Sequence, residues 1–136
     1  MTARPLCAAN WHTVETALAE LPGMPFARGA RGPAAFDCWG LVLEVRRRLD
    51  LPMPPDFVSG ELTRDQMRAL FHGPRPQGWR RVEPRLGAIV LASDSAHAGV
   101  LLALRVMHAH AKSGVVAWSL GHWVASFGDL ECWEAR

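Results

Sequence analysis

The chain contains no tyrosine, and lysine, asparagine and isoleucine occur once each, at Lys112, Asn10 and Ile89. All but one of its 15 basic residues are therefore arginine, yet the net charge is only +2. This pattern follows the codon usage of a GC-rich genome, so the arginine surplus does not by itself indicate phosphate recognition. Cysteine is scarce and odd in number. Cys7, Cys38 and Cys132 show no C-x-x-C spacing, which argues against a disulfide framework or a zinc ribbon and leaves reduced thiols as the expectation. No apolar run is long enough to span a membrane. Residues 1–10 carry Arg4 and too few apolar residues for a secretory signal, so a chain that is cytoplasmic when made is expected. There are no internal repeats and no low-complexity segment.

At 136 residues and 49% hydrophobic, the chain suits one domain, 1–136, with an ordinary core. Asn10 is placed to cap a helix whose Trp11, Val14, Leu18 and Leu21 share a face, and Pro22-Gly23 stops it. Residues 23–35 read as an ordered loop anchored by Met24-Pro25-Phe26. A second helix runs from Cys38 to about Asp50, with Leu41, Val42, Val45 and Leu49 inward. Its Arg46-Arg47-Arg48 run reads as a solvated face complementing the helix dipole, with Glu44 pairing to Arg48. After a proline-rich loop, Thr63-x-x-Gln66 forms a capping box for a helix to about His72. Residues 75–85 interleave Arg75, Arg80, Arg81 and Arg85 with Trp79. They read as a surface loop, and no nucleic-acid partner is expected.

From Leu86 the pattern changes to short apolar runs. Residues 86–92, 97–104, 106–111, 115–118 and 130–135 read as strands, the first four joined by short antiparallel links. Trp118, Trp123, Phe127 and Trp133 are expected to close the sheet's hydrophobic side. Helices first and strands after predict an α+β fold with the Cys38 helix packed on a C-terminal antiparallel sheet.

The chemistry concentrates around Phe36-Asp37-Cys38-Trp39-Gly40. Asp37 fits an N-cap, which puts Cys38 in the first helical turn, where backbone N–H groups and the dipole favour a thiolate. Trp39 would flank that thiolate as an aromatic wall. His97 opens the longest apolar strand at the rim of the sheet, within reach of a helix lying across it. His108 and His110 share one face of the next strand. The cluster supports either a Cys–His nucleophile pair with a third, orienting group or a zinc site. The four candidate ligands lack diagnostic spacing, so no metal is expected. His110 taken alone reads as a polar residue at the sheet surface.

Three separated elements resemble the NlpC-type cysteine peptidases, which are papain-like bacterial cell-wall endopeptidases. They are Asp37-Cys38-Trp39-Gly40-Leu41-Val42, then His97-Ala98-Gly99-Val100, then His108-Ala109 ahead of Ser113-Gly114-Val115. Pro25-Phe26 through Arg31-Gly32-Pro33, and Gly78-Trp79-Arg80 with Pro84-Arg85-x-Gly87, resemble the family's phage tail-assembly branch. The resemblance implies a papain-like fold and a thiol hydrolase without cofactor. Cys38 would be the nucleophile, His97 the base and His108 the residue orienting it. Phe26, Asp37, Trp39 and His110 would lie on the oxyanion or substrate side.

The implied substrates are peptidoglycan stem peptides, cut after γ-D-glutamate and before a diamino acid, with other phage tail proteins as partners. Two departures accompany the match. Phe26 stands where many members carry a Tyr whose hydroxyl contacts the reacting centre, and Ala88 follows Gly87 where the family often has Asp. The alternative is a structural tail-tip subunit that keeps the fold without turnover.

Overall fold

A computed structural model describes residues 8–54, 79–93 and 97–135. In chain order these form α1 (Ala8–Glu20), α2 (Cys38–Arg48), β1 (Trp79–Val82), β2 (Ile89–Leu91), β3 (Ala98–Leu102), β4 (Arg105–His110), β5 (Gly114–Ser119), α3 (Leu120–Phe127) and β6 (Glu131–Ala135). The capping box at Thr63 and the helix expected after it lie outside the described residues.

The strands make one antiparallel sheet in the order β1-β6-β2-β3-β4-β5. β2 to β5 form a meander, as the short links predict. β6 does not join the far end of that meander. It returns through α3 and inserts between β1 and β2, pairing Trp133 with Ile89 on one side and with Arg81 on the other. Residues 79–82, read from sequence as loop, are therefore an edge strand, because each of the four pairs with a residue of β6.

Both faces of the sheet are covered. On one face α1 and α2 bury Val14, Ala17, Leu41 and Val45 against Val100, Leu102, Met107 and Ala109. Trp39, Val42 and Leu43 extend this layer over Ile89, Leu91, Ala98 and Trp133. On the other face α3 sets Trp123 on Val90, Leu101, Val106 and Cys132, with Phe127 packed alongside. A sheet covered on both sides loses the polar alternation of a half-exposed one, which is why β2 and β3 are buried along their whole length.

Several expectations are corrected here. The four late aromatics do not share one side of the sheet, since Trp133 lies on the α2 layer and Trp123 and Phe127 on the α3 layer. The segment 120–127, to which the sequence reading assigns no element, is a helix capped by Ser119, whose hydroxyl accepts from the His122 N–H. Val14 and Ala17 of α1 and Leu21 just after it turn inward, whereas Trp11 is 44% exposed and Asn10 lies inside the helix.

The arginine run divides. Arg47 and Arg48 stay at the surface and bind Glu44, the latter at the expected i,i+4 spacing. Arg46 is fully buried. Its guanidinium donates to Glu134 Oε1 and to the Gly87 carbonyl, both at 2.6 Å, and twice to the Pro52 carbonyl. It lies one turn beyond Val42, on the helix stripe that meets the sheet, so it cannot share the solvated face of its neighbours.

Candidate active site

Asp37 occupies the N-cap of α2, as its position predicts. One carboxylate oxygen accepts from the Gly40 N–H at 2.6 Å, the other from the Gly29 N–H at 3.1 Å, and Arg31 binds both. This ties the 23–35 loop to the start of the helix. Gly40 allows the approach, since a Cβ there would collide with the Ala30 carbonyl oxygen. The loop's other end pairs with the edge strand, through Gly23 N–H to Val115 O and Val115 N–H to Met24 O. Cys38 is thus held in the first turn, where the helix provides no acceptor for its own N–H.

The thiol points to the start of β3. The backbone N–H groups of Ala98 and Trp39 lie close enough to the sulfur to favour its anion. Ala98 directly follows His97, so the nucleophile candidate and the base candidate lie near the same strand end. His97 Nε2 lies 2.7 Å from His108 Nδ1. The two histidines are therefore in direct contact, with the His97 ring against Trp123 and Phe127, while Cys38 lies beside the backbone of Ala98, the residue after His97.

The remaining candidates separate. His110 is half-buried, its ring 6.3 Å from that of His108, and its Nδ1 accepts from the Lys112 N–H. Phe26 packs on the first core layer and bridges to Phe36 beside the N-cap. Trp39 does not wall a groove. It is 1% exposed and packs inward on Leu91, Ala98 and Trp133, because the residue after an N-terminal Cys38 faces the sheet centre. The carboxylate of Asp37 is engaged by Gly29, Gly40 and Arg31. Among the described residues no three His, Cys, Asp or Glu side chains are grouped to hold a metal ion.

The electrostatics depart from the expected thiolate. Burial pushes the Cys38 thiol up to about 11, the nearby Asp37 charge adds to this, and the Ala98 and Trp39 N–H groups offset only part. Local helix chemistry favours the anion, but desolvation outweighs it, so the resting group is a thiol. Burial drives His108 the other way, down to about 3, with His97, His110 and His122 adding like-charge repulsion. His108 is therefore a neutral imidazole at pH 7 with a single N–H.

These shifts fix the sign of the pH dependence. His108 has a depressed folded value, so its contribution to stability is full above its ordinary 6.5 and is lost as pH falls toward 3. At about 1.4 kcal/mol per unit, the loss is on the order of 4 kcal/mol. Cys38 and Cys132 both rise to about 11, so their contributions are full below 9.0 and are lost between 9.0 and 11. Urea unfolding from pH 3 to 10 should show both limbs. His108→Gln should flatten the acid one, and an unchanged acid limb in that variant would assign it elsewhere.

Gly99 sits where β3 closes on the second histidine. A Cβ there would lie 2.8 Å from Val106 Cγ1, 2.9 Å from the Met107 carbonyl oxygen and 3.2 Å from His108 Cβ. Gly99→Ala is expected to cost about 1–3 kcal/mol through forced backbone shift. It should also loosen the His97–His108 pair, visible as a changed imidazole NMR signature at full occupancy of the folded state.

A helix carrying a first-turn cysteine, laid on an antiparallel sheet that presents a paired histidine couple, defines a papain-like α+β protein. No protein-family model matches the chain. The NlpC/p60 domain of the peptidoglycan hydrolase SagA has a TM-score of 0.54 and 18% identity, covering 95% of this chain and 97% of that one. NlpC2 from Trichomonas vaginalis has a TM-score of 0.54 and 19% identity over 93% of this chain and 46% of its own. The protein has the fold of NlpC/p60 domains, as the motif resemblance implied. Over 89 residues, 65% of its length, it is 29% identical to proteins named "Probable endopeptidase" in Mycobacterium bovis and Mycobacterium tuberculosis. The match spans 20% of the length of those relatives.

Proposed function

We propose that the protein is a cysteine endopeptidase that hydrolyses peptidoglycan stem-peptide amide bonds of the γ-D-glutamyl–diamino acid type. The observation that carries this reading is the meeting of the Cys38 sulfur with the Ala98 N–H beside a His97–His108 pair, within an NlpC/p60 fold. Further support comes from the names of the two kinds of similar protein, endopeptidase and peptidoglycan hydrolase.

In the proposed reaction His97 Nδ1 takes the Cys38 proton as the sulfur attacks the scissile carbonyl carbon. This order suits a resting thiol better than a preformed thiolate. The new imidazolium is held by its Nε2–H donating to His108 Nδ1, and the Cys38 N–H helps hold the oxyanion. The C–N bond then breaks, the imidazolium protonates the leaving amine, and a thioester remains on Cys38. His97 next removes a proton from water, whose oxygen displaces the sulfur to release the carboxylate and restore the thiol.

Within this reading the protein serves as a phage or prophage tail component, made in the cytoplasm and carried to the wall with other tail proteins. The support is the likeness of the 25–33 loop and the 78–87 segment to the tail-assembly branch. A second reading, a tail-tip subunit that retains the fold without turnover, is favoured by two observations. Phe26 lacks a hydroxyl beside the N-cap, and the half-buried thiol is hard to ionise.

The test is incubation with purified muropeptides followed by mass spectrometry. Cleavage should yield a fragment ending in γ-D-glutamate and one beginning with the diamino acid. Intact muropeptides, with no thioester on Cys38 in quenched samples, would overturn the peptidase reading and leave the structural one.

A further inference from the structure

His108 is fully buried, and its Nε2 has no hydrogen-bond partner. A buried polar atom without a partner costs roughly 1–3 kcal/mol, so its surroundings bear on what it does. Three aromatic rings stand nearly perpendicular to the imidazole. Trp118 lies at 4.3 Å between ring centres and 80°, Trp123 at 5.1 Å and 81°, and Phe127 at 5.8 Å and 90°. Trp118 is placed by the sheet. It pairs across from Val106, which shares a face of β4 with His108, so the two side chains are diagonal neighbours. His122 is stacked on the same indole at 3.7 Å and 10°.

The 4.3 Å separation is shorter than the roughly 4.5–7 Å usual for perpendicular aromatic pairs. It suits an imidazole, the smaller ring, standing edge-on over an indole face. A π face is negative, so it attracts an N–H and repels a nitrogen lone pair.

Resting on the peptidase reading above, we propose that Trp118 is a positioning residue whose π face accepts the Nε2–H of His108. This selects the tautomer in which His108 Nδ1 is the acceptor for His97. The choice matters because the 2.7 Å bond between the histidines permits two arrangements. If His108 Nδ1 carried the proton, it would donate to His97 Nε2. His97 would then bear its own proton on Nδ1 and could not receive one from Cys38. With the proton on His108 Nε2, the bond runs from His97 Nε2–H to His108 Nδ1, so that a neutral His97 carries no proton on Nδ1 and can accept one there. A half-buried indole thus acts through two imidazoles on the thiol.

The test reads the tautomer directly, by two-bond ¹H–¹⁵N correlation of the imidazoles at pH 8. The other titratable rings around His108 are His97, His110 and His122. His108→Gln assigns the signals. In the wild-type chain the Nε2–H form should dominate, with its proton shifted upfield by the indole ring current. Trp118→Phe should retain both features. Trp118→Leu should lose the upfield shift and raise the Nδ1–H share about two- to five-fold. Iodoacetamide labelling of Cys38 should slow by a similar factor in Trp118→Leu and recover in Trp118→Phe.

An Nδ1–H tautomer in the wild type, or an Nε2–H signal without the upfield shift, overturns the proposal even if Trp118→Leu fails to fold. A folded Trp118→Leu with wild-type tautomer and labelling rate does the same. The NMR signature present in a chain that cleaves no muropeptide would instead count against the peptidase reading alone.

Discussion

Cys38→Ala is expected to abolish muropeptide cleavage, a loss of at least about 10⁴-fold, while the folded state persists. In the proposed mechanism the nucleophile and its base act as one unit, so removing either removes nearly the whole covalent route. Cys38→Ala/His97→Ala should therefore be no slower than either single variant. Stability should change by roughly 1 kcal/mol or less, because the side chain lost is small and contributes no ion pair. The comparison that decides the matter is cleavage rate against melting temperature for the wild type and both single variants. Wild-type cleavage by Cys38→Ala would remove the thiol from the mechanism, whatever the fold.

Arg46→Ala should be the most destabilising single change named here. It would leave the Glu134 carboxylate, which is 8% exposed, without its 2.6 Å partner, and would orphan the carbonyls of Gly87 and Pro52. Breaking a buried pair from one side costs about 3–5 kcal/mol, a drop in melting temperature of about 10–20 °C for a chain of this size. Pairing the change with a second one separates charge from packing. Arg46→Met/Glu134→Leu removes both charges together and should recover most of the loss, except the part due to the two carbonyls. A melting temperature for Arg46→Ala within two or three degrees of wild type would show that the pair contributes little. The pair also joins α2 to β6 and to the turn before β2, so its loss should raise amide exchange in those three elements first.

The features that could be read from the sequence are those whose causes are local. The N-cap at Asp37, the first-turn position of Cys38 and the inward stripe Leu41, Val42, Val45 and Leu49 depend on contacts within a few residues. The β2–β5 meander follows from short links that leave adjacent strands only one way to pair. His97, His108 and Cys38 could be nominated together because their motifs keep the order and spacing of a known family.

What the sequence did not disclose depends on partners far along the chain. Arg46 looks like its exposed neighbours until Glu134, 88 residues on, supplies a carboxylate. The segment 79–82 becomes a strand only because β6 returns past β2 to meet it. α3 was obscured by its Val and aromatic content, although Ser119 already offered a cap. The thiol shows the division most plainly. Sequence places Cys38 where a helix terminus favours the anion, and folding then encloses the sulfur deeply enough to push it up to about 11. Position along the chain sets which dipoles a group meets, but the enclosing side chains set how much water it keeps, and for a charge the second effect is the larger.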